Sequence, residues 1–430
     1  MNKFLVVAVI GAFLSLGAPV QPCGAGEIDL LLQKLVDKGI LTGPEAQEVK
    51  VQTTEAIKKA VAAGKHETLP KWIQTMKMKG DLRLRYQYNH SKTVNDQTSE
   101  RHRGRVRLRF GVKARVNNKL KVGFRLATGL NTIDGITKDA VRSTNQSFDD
   151  EWSNKPINLD QAYAQWTPYP WAAVTAGKMS LKTALWTVKD LMWDSDITPE
   201  GISLSLNKKI NPELELWSKT GFFVIEESSS SGDDPTLYNL QIGAKSRPSE
   251  KFSLKTAFAY YYFSLQDIAL SSSAGTNTSP LEDFSVIEPA FELKVNQPLT
   301  ALAEAVGMSC LDVHHVSLFG NFVMNTHAPQ DTNDKGFLLG FKVAKSKKVK
   351  DKGDWEVKYN FAKLDKDAVP DWLPDSDRYG GRTNIDGHEV EIKYGVGKNT
   401  WLALDIYRAQ SLNDPQSPET LAQLDWNMKF

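Results

Sequence analysis

The sequence predicts an all-β chain: a transmembrane antiparallel β-barrel of about 16 strands over residues 71–430, preceded by a short α-helical segment over 27–70. Three observations predict it. From Lys77 to the C-terminus, apolar and polar side chains alternate with period two, the spacing at which a strand sends successive side chains to opposite faces. The connections between these segments are short and long in turn. After residue 20 no apolar run approaches the ~20 residues that a spanning helix needs, so a membrane crossing has to be made with strands.

Composition removes other classes. With 53 basic and 51 acidic side chains the net charge is only +2, which excludes a nucleic-acid binder that works by bulk basicity. A mean hydropathy of −0.38 excludes a helical transmembrane bundle. The 11 Trp, 12 Tyr and 18 Phe are too many for a disordered chain. Two cysteines, Cys23 and Cys310, cannot build a disulfide scaffold or a cysteine-rich metal site. No metal or cofactor is expected.

Residues 1–26 have the form of a secretory signal peptide: Lys3, then an apolar stretch from Phe4 to Leu16 too short to span, then Pro19 and Pro22. Gly24, Ala25 and Gly26 offer cleavage points before Glu27. Cys23 lacks the small preceding residue and the leucine three before it that acylation favours. Export is the expectation. From Glu27 the period is helical: Ile28, Leu31, Leu32, Leu35 and Val36 make one stripe, and Gly39 ends it. Thr42-Gly-Pro-Glu45 has the form of a capping box that opens a second helix, to about Ala63.

The alternating segments fall near 76–88, 103–117, 119–129, 157–167, 171–179, 200–207, 213–226 and 236–247. The rest fall near 251–264, 284–297, 313–326, 336–346, 353–364, 384–395, 400–410 and 420–430. Short links such as Asn117-Asn118 alternate with long polar ones such as 130–156, 265–283 and 365–383, except that 298–312 is long where a short link is due. A soluble sandwich would also alternate. Segments of about eleven residues match a tilted bilayer span. Aromatics at segment ends (Tyr86, Tyr88, Trp166, Tyr169, Trp171, Tyr260, Tyr262, Trp401, Tyr407, Trp426) form the girdles that a membrane barrel requires. An even strand count closes without edges.

The segments Leu31-Leu-Gln-Lys-Leu-Val-Asp-Lys-Gly-Ile-Leu41, Lys79-Gly-Asp-Leu-Arg-Leu-Arg85 and Leu159-Asp-Gln-Ala-Tyr-Ala-Gln165 carry a resemblance. Trp193-Asp-Ser-Asp-Ile-Thr-Pro-Glu-Gly201 and the terminal Leu424-Asp-Trp-Asn-Met-Lys-Phe430 extend it. They resemble the outer-membrane "putative porin" family of Gram-negative bacteria. The resemblance implies a passive diffusion channel for small hydrophilic solutes or anions, a homotrimer as in many sixteen-stranded porins, and contacts with outer-membrane lipid. It also implies that Phe430 is a signal to the barrel-assembly machinery. Its motifs are structural, and none names a solute.

The residues that would carry selectivity form a basic ladder. On the first three strands the polar face holds Lys77, Lys79, Arg83, Arg85, Arg105, Arg107, Arg109, Lys113, Arg115, Lys121 and Arg125, against one acid, Asp81. On a lipid face each charge would cost ~2–4 kcal/mol at the midplane, so these are expected to line the pore. Unpaired, they would favour anions modestly. Asp190, Asp194 and Asp196 in 180–199 are the acidic residues of an expected inward-folded constriction loop, and the alternative to an anion-attracting wall is that acidic loops such as this one neutralise it. Glu213, Glu215, Glu288, Glu292, Asp354, Glu356, Glu389, Glu391, Asp405 and Asp425 predict an acidic opposite wall and a transverse field. Enzyme signatures are missing. His314 and His315 are adjacent in a strand and face opposite ways, Tyr394 to Thr400 lacks the first glycine of a phosphate loop, and no Gly-x-Ser-x-Gly is present. Two alternatives stand beside the channel. A barrel enzyme would need a nucleophile–base pair on its outer wall, and a closed structural or adhesive barrel would need a lumen filled with apolar side chains.

Overall fold

The structure, a computed structural model, describes residues 32, 35–38, 41–62, 75–92, 97–129, 141–148, 150–188, 191–227, 234–265, 273–278, 282–298, 313–328 and 333–430. The expected signal peptide, Gly39, both cysteines, Asp190 and most of the 298–312 link lie outside the described residues. The chain divides into two units, Met1–Thr75 and Met76–Phe430.

In the first unit, helix α1 spans Gly43–Ala62. The Thr42 backbone N–H and hydroxyl both donate to Glu45 Oε2, at 2.8 and 2.7 Å, so the Glu45 half of the capping box forms. These two bonds hold the Glu45 carboxyl below its usual pKa.

The second unit is a closed antiparallel sheet of sixteen strands plus a two-residue bridge, Gln146–Ser147. The strands are β1 Thr75–Lys92, β2 Thr98–Arg115, β3 Leu120–Thr128, β4 Ile157–Tyr169, β5 Ala172–Lys178, β6 Glu200–Lys209, β7 Leu214–Val224 and β8 Thr236–Ser246. They continue as β9 Phe252–Ser264, β10 Phe284–Asn296, β11 His315–Asn325, β12 Lys335–Ala344, β13 Trp355–Leu364, β14 Ile385–Gly397, β15 Thr400–Ser411 and β16 Glu419–Lys429. Each of the sixteen falls on a segment that period-two alternation marks. β16 returns to β1 in the register Asp81↔Lys429 to Ser91↔Glu419, which leaves no edge. The short turns are fixed by asparagine chemistry. The Asn117 carboxamide accepts from the Lys119 and Leu120 N–H groups at 2.8 and 2.9 Å, and Asn211 accepts from Glu213 and Leu214 at 2.9 and 2.7 Å.

Closure sorts the alternating faces. Leu84, Tyr86, Phe124, Leu240, Ile242 and Leu424 are exposed on the outer wall, while their neighbours Arg85, Gln241 and Asp425 are buried on the inner one. Phe430 continues the outer row beyond β16, 65% exposed, and exchanges two backbone hydrogen bonds with Gly80. Its ring occupies the space that a Cβ at residue 80 would need.

Three expectations are corrected. Trp401 and Tyr407 do not join an outer girdle. They share the inner face with Asn427 and Glu389, their register partners, where the Lys429 ammonium and the Arg378 guanidinium lie over their rings. Glu213 and Asp354 precede β7 and β13 in turns rather than lining the wall; Asp354 closes its turn by accepting from the Lys350 and Asp351 N–H groups. Third, the inner face is not polar throughout. On β7–β14 the half nearest the long loops carries Phe223, Leu237, Tyr261, Phe263, Phe284, Val286, Phe319, Val323, Leu338, Leu364 and Ile385, all buried. Two long loops cover them, 180–199 with Leu185, Leu191, Met192 and Trp193, and 365–383 with Val369, Trp372 and Leu373. A hydrophobic core therefore lies inside the barrel. Each such side chain gains about 1.5–3 kcal/mol by leaving water, which is the force that draws the loops inward.

Candidate functional site

The inner wall that the core leaves uncovered runs from β14 through β16 and β1 to β4, and it is charged. The basic ladder lies on it, but its middle is paired. Arg85, 6% exposed, donates Nε and Nη2 to Asp425 at 2.6 and 2.8 Å, with Asp377 at 3.4 Å. Arg83 reaches Asp425 at 3.4 Å and donates to Asn145 Oδ1 at 2.5 Å. Arg107 and Arg109 share Asp81, each at 3.0 Å, and Arg109 also reaches Asp196 at 3.2 Å. Arg125 pairs with Asp160.

The two ends of the ladder differ from its middle. Towards the long loops, Arg105 donates, among the described residues, only to neutral acceptors, Gln87 Oε1 at 2.9 Å, the Asn145 carbonyl at 3.3 Å and the Ser143 hydroxyl at 3.5 Å. Towards the short turns, Lys77, Lys79, Lys113, Arg115 and Lys121 are exposed, and among the described residues none has a carboxylate within ion-pair distance. A cavity of about 770 Å³ at that end is lined by Lys77, Lys79, Asp81, Lys113, Lys182 and Lys429. At the long-loop end a second, of about 640 Å³, is lined by Lys92, Lys366, Arg382, Asp414 and Glu419.

The 180–199 loop reaches both walls. Its short helix α2, Leu181–Ala184, lies beside β7: the Lys219 ammonium donates to the Lys182 and Thr183 carbonyls at 2.7 and 2.8 Å. Its far end is held on β2 by the Arg109–Asp196 pair. Burial opposes ionisation of Asp196, but Arg107 and Arg109 overcome it and hold the carboxyl below 3.8. Asp194 accepts from the Asp196 and Ser376 N–H groups at 2.8 and 3.0 Å, joining the two loops that fill the barrel.

Sequence reasoning missed what positions the 365–383 loop. Arg142 Nη1 donates to the carbonyls of Asp371, Pro374 and Gly381 at 3.3, 3.3 and 2.8 Å. Asp371 accepts from Ser273, Thr276 and Asn277, and Asp367 from Thr278. The acids of the later strands are also paired locally rather than forming a negative wall. Lys358 contacts Glu389 and Glu391, Arg378 contacts Glu389, and Lys342 and Lys393 contact Glu356. Glu288 is buried between the Tyr261 hydroxyl and the Asn321 amide, at 2.7 and 2.6 Å. The expected transverse field is thus replaced by short-range pairs. No group of His, Cys, Asp and Glu fit to hold a metal ion occurs among the described residues.

The "putative porin" family model matches residues 88–320 and 300–430. Among solved structures, OprB of Pseudomonas putida at high pH is similar at 12% identity, over 87% of this chain and 96% of that one, with a TM-score of 0.54. The outer membrane channel DcaP of Acinetobacter baumannii is similar at 11% identity, over 83% of this chain and 97% of that one, with a TM-score of 0.46. No curated protein matches by sequence. A closed sixteen-stranded barrel and a family match over most of its length lead to one assignment: the chain belongs to the putative porin family.

Proposed function

We propose that the protein is an outer-membrane porin that lets small hydrophilic solutes diffuse through, with a modest preference for anions. One observation carries the reading. The barrel interior is divided, with apolar side chains and loops filling one side and a strip of paired charges on the other, flanked at its short-turn end by lysines that have no carboxylate partner among the described residues and at its long-loop end by a cavity with Lys366 and Arg382 in its lining. Solutes would pass along that strip, between the ladder and the 180–199 loop, which acts as the constriction through Asp196. Asp194 braces the loop. Cations at both mouths concentrate anions, and the paired middle keeps the preference partial.

Other parts of the reading follow from it. Residues 1–26 would direct export and be removed, and 27–70 would lie in the periplasm. The exposed outer wall would meet lipid and, in a homotrimer, neighbouring copies. Phe430 would be read by the assembly machinery, so deleting it should lower the amount of heat-modifiable barrel in the outer membrane. The test of function is conductance in planar bilayers with reversal potentials in a KCl gradient: open channels with a modest anion-selective potential are expected. The internal core favours a second reading, a closed structural barrel, and folded protein without conductance would select it.

A further inference from the structure

On the wall facing the ladder, three lysines lie together on β7–β9: Lys219, Lys245 and Lys255. Lys255 is directly opposite Lys245 in the register, a like-charge pairing that costs stability unless something offsets it. The nearby acids are engaged elsewhere. Glu292, on the other side of Lys255, binds Lys294 at 3.0 Å, and Glu215 accepts from Asn207 at 2.8 Å. Among the described residues none of the three lysines has a carboxylate within ion-pair distance. The Lys255 ammonium instead lies 4.3 Å from the Trp186 ring centre and 4.6 Å from that of Trp217. The two indoles meet edge to face, 5.7 Å apart at 75°.

This arrangement is held from behind. The Gln241 side chain accepts from the Trp186 N–H and donates to its carbonyl, both at 2.8 Å, and so fixes the loop residue that brings the ring over Lys255. Gly243 leaves the space in which the Trp217 indole lies. Trp186, Lys219, Lys245 and Lys255 stay partly exposed, whereas Trp217 is buried and its Nε1–H has no acceptor among the described residues. An ammonium held over aromatic rings keeps its charge while losing part of its water, and its attraction for an anion grows accordingly.

We propose that Trp186, Lys245 and Lys255 form a binding subsite for small carboxylates with a flat apolar body, the carboxylate on the lysines and the body against Trp186. This deepens the porin reading and rests on it: Lys245 and Lys255 lie on the half of β8 and β9 nearest the short turn, which the core leaves uncovered, so a ligand would meet the subsite at that mouth of the pore. Benzoate is the probe, with acetate and benzyl alcohol as its charge-only and ring-only halves. Calorimetry on the folded full-length protein should show benzoate binding tighter than either half, and benzoate should reduce single-channel current in KCl. Lys255→Gln should weaken benzoate about tenfold, Lys255→Arg should restore most of it, and Trp186→Ala should bring benzoate down to the level of acetate, with heat-modifiable mobility confirming folding in each. Benzoate no tighter than acetate, or unaffected by Lys255→Gln, overturns the subsite even if the channel is anion-selective. Binding without any conductance would overturn the porin reading and leave the subsite standing.

Discussion

The two inner walls of the barrel obey the same alternation and meet opposite fates. From β16 through β1 to β4 the middle of the inner wall is held by arginines and aspartates that neutralise one another across strands. From β7 to β14 many are large and apolar, and two loops fold in to cover them. Charge on an inner wall is satisfied by a partner one strand away and leaves the space in front of it open to water. Apolar surface is satisfied only by more apolar surface, which has to be brought from outside the sheet. One barrel can therefore be a packed core on one side and a polar passage on the other.

The apolar side is where the largest effect is expected. Trp193 is 2% exposed and packs edge to face on Tyr261 at 5.5 Å, with Phe263 at 6.1 Å. Trp193→Ala should cost ~3–5 kcal/mol of loop packing. The sheet keeps its own hydrogen bonds, so the barrel should still assemble while the 180–199 loop loosens. Single-channel conductance should rise, and limited proteolysis should cut within 180–199. An unchanged conductance would mean that the loop is held by its polar contacts alone.

On the charged side, the sharpest contrast lies within one ion pair. Arg85→Gln leaves Asp425 with Arg83, and Asp425→Asn leaves Arg83 on the neutral Asn145 and Arg85 with Asp377 alone at 3.4 Å. Each should lose ~1.5–3 kcal/mol, the worth of hydrogen bonds to a charged group. Their reversal potentials should move in opposite directions, towards cations for Arg85→Gln and towards anions for Asp425→Asn. The double variant should return close to wild type, since it removes the charges together. Shifts of the same sign would place the pair outside the conducting path.

The strands were legible because one periodicity, repeated sixteen times, needs no knowledge of contacts. The positions of the basic residues on one face were legible for the same reason. Their neutralisation by loop acids was legible as an alternative in the acids of 180–199, but the pairing itself was not, because Asp377 lies in another loop and Asp425 at the far end of the chain, and only closure of the sheet brings these and Asp196 to Arg85 and Arg109. The core left a signal that alternation hides: Leu185, Leu191, Met192 and Trp193 in one loop, and Val369, Trp372 and Leu373 in another, are residues that a solvated loop does not carry. Paired with the run of inward aromatics at Phe223, Tyr261, Phe263 and Phe319, they mark a loop folded against a wall.

Acid should separate the two attachments of the 180–199 loop. The Asp196 carboxyl is held below its ordinary value of 3.8 by Arg107 and Arg109 against the cost of burial. A carboxyl whose folded pKa is depressed contributes stability that is present above its unfolded value and lost as pH falls through the folded one. The tether to β2 should thus be complete from neutral pH down to about 4 and weaken only below that. The apolar packing has no such dependence. Conductance should be flat between pH 7 and about 4.5 and change only in stronger acid, and Asp196→Asn should remove that acid-dependent step. A step near pH 6 would point to a different group.

The smallest effect is expected where the charged wall meets the short turns. Lys77, Lys79 and Lys113 are exposed, and among the described residues none has a carboxylate partner; Lys113 only lies over the Tyr163 ring, 5.8 Å from its centre. Replacing all three with Gln should change stability by less than ~0.5 kcal/mol per site. Their only influence on passing ions is the field they set up at the mouth, and that field is screened. At 0.01 M salt the Debye length is ~30 Å, enough to span the mouth, and at 1 M it is ~3 Å, less than one side chain. The triple variant should therefore shift the reversal potential slightly towards cations at low salt and not at all at 1 M. Asp425→Asn, whose charges lie buried on the wall, should keep part of its shift at 1 M, because salt does not reach between the groups. If the lysine variant behaved the same way at high salt, those lysines would be lining the narrow part of the pathway, and the division between a paired middle and an unpaired rim would have to be redrawn.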